Sequence, residues 1–85
     1  MKFSIITAVL NDNKNIEKTI LSVKNQTHRN KEHIIIDGKS SDGTWEIIKK
    51  YSKTVRHFRK KDKSLYDAIN TGIKMSKGDI IFLIH

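Results

Sequence analysis

The chain alternates short apolar runs with segments whose apolar residues recur every three or four positions. Phe3 to Leu10 (FSIITAVL) is a near-continuous apolar, β-branched run, the pattern of a strand buried on both faces. Asn11, Asp12 and Asn13 break it with turn and cap residues. Ile16, Ile20 and Val23 then fall at helical spacing and predict a helix from about Asn15 to Asn25. His33 to Asp37 (HIIID) predicts a second buried strand, and Gly38 to Gly43 a polar turn. A second helix starts near Thr44, with Asp42 as a candidate N-cap and Trp45, Ile48 and Tyr51 or Ser52 on one face. Val55 to Phe58 reads as a short third strand. Leu65, Ala68, Ile69, Gly72 and Ile73 form the apolar stripe of a third helix. Gly78 stands where its C-terminal cap belongs, with Lys74 and Lys77 in the last turn. Asp79 to Ile84 (DIIFLI) predicts a fourth buried strand.

Strand and helix alternating in this way predict a parallel sheet with right-handed crossovers. The fold class is therefore α/β: a Rossmann-like parallel sheet, in spatial order 3-2-1-4, with flanking helices. That order puts the Leu10–Asn13 and Asp37–Gly38 turns on the same edge. Ligands of such sheets bind beyond the carboxyl ends of the strands. The residues to weigh are Leu10 to Asn13, Asp37 to Gly43 and Lys60 to Asp67.

Composition narrows the chemistry. There is no Cys, which excludes disulfides and thiolate metal sites. No apolar run approaches the length of a membrane span. The formal charge is +8, and residues 49–63 carry eight basic side chains against one acid, Asp62. Such a patch suits a polyanion or a phosphorylated ligand, and equally a solvated helix face followed by a basic loop. Tyr51 and Phe58 are the aromatics of that stretch, and both fit core positions, unlike the interleaved aromatics of a nucleic-acid module.

The first strand-to-helix turn has no Gly, and no P-loop motif occurs, so the usual pyrophosphate-binding turns are absent. Asp37 ends an aliphatic strand before Gly38. An acid there can accept from a ribose hydroxyl or a base N–H, and can equally open a turn or cap the next helix. Ser40 to Thr44 could hold a phosphate at a helix start, although ordinary capping accounts for Asp42 and Thr44 without a ligand. Asp62, Lys63, Tyr66 and Asp67 stand at the start of the third helix, where the helix dipole alone favours Asp67. Gly72 inside that helix implies close packing against the sheet. The four His show no metal-ligand spacing.

Together these segments resemble the family 2 glycosyltransferases of the GT-A fold, above all bacterial enzymes that build capsular, exopolysaccharide or lipopolysaccharide glycans. The resemblance lies in Ser22 to Thr27 (S-x-x-x-Q-T), in Asp37, Gly38, Ser40, Asp42, Gly43 and Thr44, in Tyr66 to Gly72 (YDAxNxG), and in Gly78-Asp79. It spans residues 1–85, read as the N-terminal nucleotide-binding part of such a domain. It implies transfer of a sugar from a nucleotide-diphosphate sugar, foremost a UDP-sugar, to a glycan or lipid-linked acceptor. In the intact parent the reaction would be inverting and would depend on Mg²⁺ or Mn²⁺. The nucleotide-sugar contacts implied are Thr7, Val9, Asn11, Asp37, Lys61, Lys63 and Asp67. The family's acidic metal motif and general base follow the fourth strand. No catalytic or metal-binding residue is therefore expected before His85, and no metal is expected to bind these residues.

Several expectations follow. The chain is truncated before the acidic motif, and these residues alone would not transfer sugar. Asp37 faces the crevice mouth, reachable by solvent and free of a strong Lys or Arg pair. The fourth strand lies at an edge and favours self-association. The setting is cytoplasmic, with peripheral contact at the inner face of the membrane. The alternatives are a non-catalytic basic module for nucleic acid or anionic membrane, or a fragment without function of its own.

Overall fold

A computed structural model describes residues 1–61 and 64–84. Four strands and three helices alternate: β1 (Phe3–Val9), α1 (Ile16–Lys24), β2 (Lys31–Asp37), α2 (Thr44–Lys50), β3 (Arg56–Arg59), α3 (Leu65–Met75) and β4 (Ile80–Leu83). The strands form one parallel sheet in the order β3-β2-β1-β4, as the crossover argument predicts. β1 pairs with β2 from Phe3↔Lys31 to Val9↔Asp37, so their carboxyl ends finish level.

Side chains of alternate strand residues feed two separate cores, one on each face. On the first face Ile16 and Ile20 of α1 and Ile48 of α2 close over Ile35, together with Val55. On the other, Ala68 of α3 closes with Ile6, Ile34 and Ile36. Both are built largely from isoleucine, whose stiff branched side chain suits strands packed on both faces.

Glycine lets α3 approach the sheet. A Cβ on Gly72 would lie 2.4 Å from Ile6 Cγ2, so a side chain there would push α3 away. Gly78 does a different job from the one its position in sequence suggests. The C-cap of α3 is Ser76, in extended conformation. Gly78 instead passes the start of β1, where a Cβ would meet Ser4 Oγ at 2.5 Å and the Lys2 carbonyl at 2.8 Å. Its N–H donates to Ser4 Oγ.

Two further expectations are corrected. α2 takes Gly43 rather than Asp42 as its N-cap, because Gly43 adopts φ 98°, a left-handed conformation that glycine tolerates. β4 is not a buried strand. It is an edge, as the strand order implies, and no helix covers it among the described residues, so Ile81, Phe82 and Leu83 are exposed. The α3 stripe is half exposed for the same reason: Ala68 and Gly72 are buried, whereas Leu65 and Ile73 face solvent.

Candidate functional site

The carboxyl ends of β1 and β2 are held together by their following turns. Gly38 N–H donates to the Val9 carbonyl at 2.9 Å. Asn11 N–H donates to Ser40 Oγ, and Ser41 N–H returns a bond to Asn11 Oδ1, both at 2.8 Å. Asp12 N–H donates to Thr44 Oγ1 at 2.9 Å. Asn13 binds Asp42 twice, through its N–H to Oδ2 and through its side-chain amide to the carbonyl. Bonds from the Thr44 hydroxyl and N–H hold the Asp42 carboxyl below the usual carboxylate range. The hydroxyls of Ser40 and Thr44 thus serve this clasp, which favours the capping reading of the turn over a phosphate site. Asn11 (φ 53°) and Lys39 (φ 66°) both sit in the left-handed region, at the points where the two turns reverse.

Asp37 lies beneath the clasp and is fully buried. Its Oδ1 accepts from the Ser40 hydroxyl, and its Oδ2 from Ser40 N–H at 2.9 Å. Arg59 Nε stands 3.4 Å from the same Oδ2, and Arg59 Nη2 donates to the Ser40 carbonyl at 2.7 Å. The expectation of a solvent-reachable carboxylate without a cationic partner is therefore overturned. The parallel register explains it: Asp37 is aligned with Arg59 across β2 and β3, so the end of β3 delivers a guanidinium beside the acid. That guanidinium also lies 5.5 Å from the centroid of the Trp45 ring. An acidic strand end opposite a basic strand end was the available signal.

The other implied contacts separate. Thr7 is buried inside the sheet, 2.8 Å from His33 Nε2, and does not reach the mouth. Burial pulls the His33 pKa down to about 4, so the ring is neutral near pH 7. Val9 and Asn11 stand at the edge, Asn11 within the clasp. Lys61 is exposed after β3. Asp67 is half-buried in the first turn of α3, where its N–H is capped by Ser64 Oγ. Lys63 lies outside the described residues.

Between the ends of β1 and β2 and the start of α3 is a cavity of about 240 Å³, lined by Ala8, Val9, Leu10, Gly38, Ser64, Leu65 and Ala68. Its walls are mostly apolar, with backbone at Gly38, so it suits the face of a ring better than a phosphate. Of the implied contacts, Val9 alone lines it. Leu10, Gly38 and Leu65 fall within the strand-end segments that the sequence singles out, but none of them is among the implied contacts. Among the described residues no three His, Cys, Asp or Glu side chains gather to hold a metal ion, and no helix is long and apolar enough to cross a membrane.

The family described as Glycosyl transferase family 2 matches residues 4–85. Poly(ribitol-phosphate) β-N-acetylglucosaminyltransferase TarP of Staphylococcus aureus (strain N315) is 38% identical over 98% of this chain, which spans 27% of TarP. Among solved structures, mannosyltransferase PcManGT of Pyrobaculum calidifontis, in complex with GDP-Man and Mn²⁺, superposes with a TM-score of 0.87 at 19% identity. That match covers 94% of this chain and 26% of that one. S. aureus TarS 1-349 in complex with UDP-GlcNAc gives 0.80 at 22% identity, over 99% of this chain and 26% of TarS 1-349. The chain spans less than a third of the curated relatives it matches first.

Proposed function

Because the chain belongs to glycosyl transferase family 2, we propose that it holds the nucleoside of a nucleotide-diphosphate sugar, foremost a UDP-sugar, in the cavity between β1, β2 and α3. The observation that carries this reading is the position of the cavity. It opens at the carboxyl ends of β1 and β2, where parallel sheets of this kind take their ligands. Val9, Leu10 and Gly38 would border the base or ribose. Lys61, exposed beyond β3, would lie toward the diphosphate. Asp37 would act on the ligand indirectly, by fixing the turn that carries Gly38.

In the intact protein the reaction would be inverting transfer to a glycan or lipid-linked hydroxyl. The acceptor oxygen bonds to the anomeric carbon as the bond from that carbon to the diphosphate oxygen breaks. The hydroxyl proton passes to a base, and the nucleoside diphosphate departs. The described residues supply no donor set for the divalent cation the family resemblance implies. What they contribute is binding and orientation, which lower a barrier by positioning.

The basic-module alternative is weakened by the cations themselves. Arg56 is bound to Glu32 and to the Met75 carbonyl, and Arg59 to Asp37 and Ser40, so neither is presented freely to a polyanion. Titration of the intact protein with UDP, GDP and inorganic pyrophosphate, followed by amide chemical shifts, tests the reading. Saturable shifts at Leu10, Gly38 and Leu65 with UDP or GDP are expected. Shifts confined to the lysines of residues 49–63, abolished by moderate salt, would support the polyanion module instead.

A further inference from the structure

Three of the four glycines are required by the fold. Gly43 adopts φ 98°, and side chains at Gly72 and Gly78 would collide with Ile6 and with Ser4 and the Lys2 carbonyl. Gly38 is different. Its backbone is not left-handed, and a Cβ there would lie 3.6 Å from both Leu10 Cδ1 and the Val9 carbonyl oxygen and 3.8 Å from Leu10 Cβ. Those are ordinary van der Waals distances, so the fold accepts a side chain at this position. Glycine in an ordered turn also carries an entropic cost that alanine would reduce. Fold stability therefore gives no reason for glycine at position 38.

The position borders the cavity at the ends of β1 and β2, and the atoms nearest that Cβ belong to Val9 and Leu10, two other residues of the cavity wall. A side chain at 38 would therefore occupy the space beside that wall. The turn cannot swing aside to restore the space. Gly38 N–H is bonded to Val9, the preceding Asp37 is buried under Ser40 and Arg59, and Ser40 is tied to Asn11.

We propose that Gly38 is a specificity-determining residue of the donor site: the missing side chain leaves room for the nucleoside ring to lie against the backbone of the β2–α2 turn. The proposal rests on the nucleotide-binding reading above and sharpens it. The ring contacts the Gly38 backbone on one side and the apolar side chains of Leu10 and Leu65 elsewhere in the cavity. The diphosphate lies outside. Ligand discrimination at this position is by shape, with no side-chain hydrogen bond.

The test is a size series, Gly38→Ala and Gly38→Val, in the intact protein. Melting temperature and affinities for UDP, GDP and inorganic pyrophosphate are measured for each. The expected result is an unchanged or slightly raised Tm for Gly38→Ala. UDP affinity should drop about tenfold for Gly38→Ala and further for Gly38→Val, the range for one or a few methyl groups misplaced in a pocket. Pyrophosphate affinity should stay the same. Unchanged UDP affinity in both variants overturns the proposal. So does a parallel loss of pyrophosphate binding, or a fall in Tm for Gly38→Ala as large as that for Gly72→Ala, which would make the glycine structural. If the wild-type protein binds neither UDP nor GDP, the nucleotide-binding reading itself falls, and this proposal with it.

Discussion

Strands β2 and β4 carry nearly the same aliphatic residues, Ile34-Ile35-Ile36 in one and Ile80-Ile81-Phe82-Leu83 in the other, and the fold treats them oppositely. The three β2 isoleucines are wholly inaccessible, whereas Phe82 and Leu83 are 47% and 50% exposed. The difference comes from neighbours. β2 lies between β1 and β3, with helices on both faces; β4 pairs only with β1 among the described residues and lacks a covering layer. An aliphatic run therefore encodes the tendency to be a strand, while burial depends on what the topology sets on either side of it.

This contrast can be broken most directly in β2. Ile35→Ala leaves a cavity where side chains from α1 and α2 meet, and should cost about 4 kcal/mol, measured by urea denaturation. A loss below about 1 kcal/mol would mean that β2 is far less tightly packed than its burial implies.

A second effect in the same strand concerns acid. The folded state holds His33 neutral, with its pKa lowered from 6.5 to about 4 by burial. Between those values the unfolded chain binds a proton that the folded chain does not. Stability is therefore intact above pH 6.5 and falls as the pH drops toward 4, by roughly 3 kcal/mol in all. His33→Gln should flatten that slope in denaturation midpoints taken from pH 7 to pH 4. Glu32 acts lower. Burial alone would raise its carboxyl, but bonds from Ser4, Lys77 N–H and Arg56 outweigh burial and hold it below its usual value of 4.5. Its contribution is present above that value and lost as the pH falls further, so most of the His33 loss comes first as the pH is lowered. A slope that survives in His33→Gln would locate the acid sensitivity elsewhere.

The smallest change is expected at the exposed strand. Phe82→Lys should alter stability by less than about 1 kcal/mol, since the ring is half in solvent and its described aromatic partner is Phe3 alone, edge-on at 5.2 Å. It should also reduce any self-association through the open edge, seen as a smaller weight-average mass in sedimentation. A loss comparable to that of Ile35→Ala would erase the distinction between the two strands.

The order of strands was legible because it needs only alternation of elements and the handedness of crossovers. Gly72 was legible because a glycine inside an apolar helical stripe signals close approach. Gly78 was misread as a helix cap because sequence distance from α3 is visible, whereas its bond to Ser4 joins residues 74 positions apart. The site was half legible. The turns that meet at the sheet edge could be named in advance, but the state of Asp37 could not. Ser40 is a local partner, three residues on, but Arg59 becomes a neighbour only when β2 and β3 are set in register. The cavity wall was only partly legible: its segments at the ends of β1 and β2 and the start of α3 could be named, but apolar residues such as Leu10 and Leu65 carry no polar group to mark them as lining.

The central place of β1 also bears on how the chain assembles during synthesis. β1 and β2 can pair once Asp37 is available, and the two turns at their ends can then clasp. The opposite edge of β1 has to wait for Ile80, since Gly78 and Asp79 are what dock against Ser4 and Lys2. At about 5–20 residues per second, that leaves an open, aliphatic strand edge for some seconds on each ribosome. Within this domain the interval between β2 and β4 is the period most exposed to mispairing. Any holdase or neighbouring nascent chain that engages it would compete with β4 for the same row of β1 backbone groups.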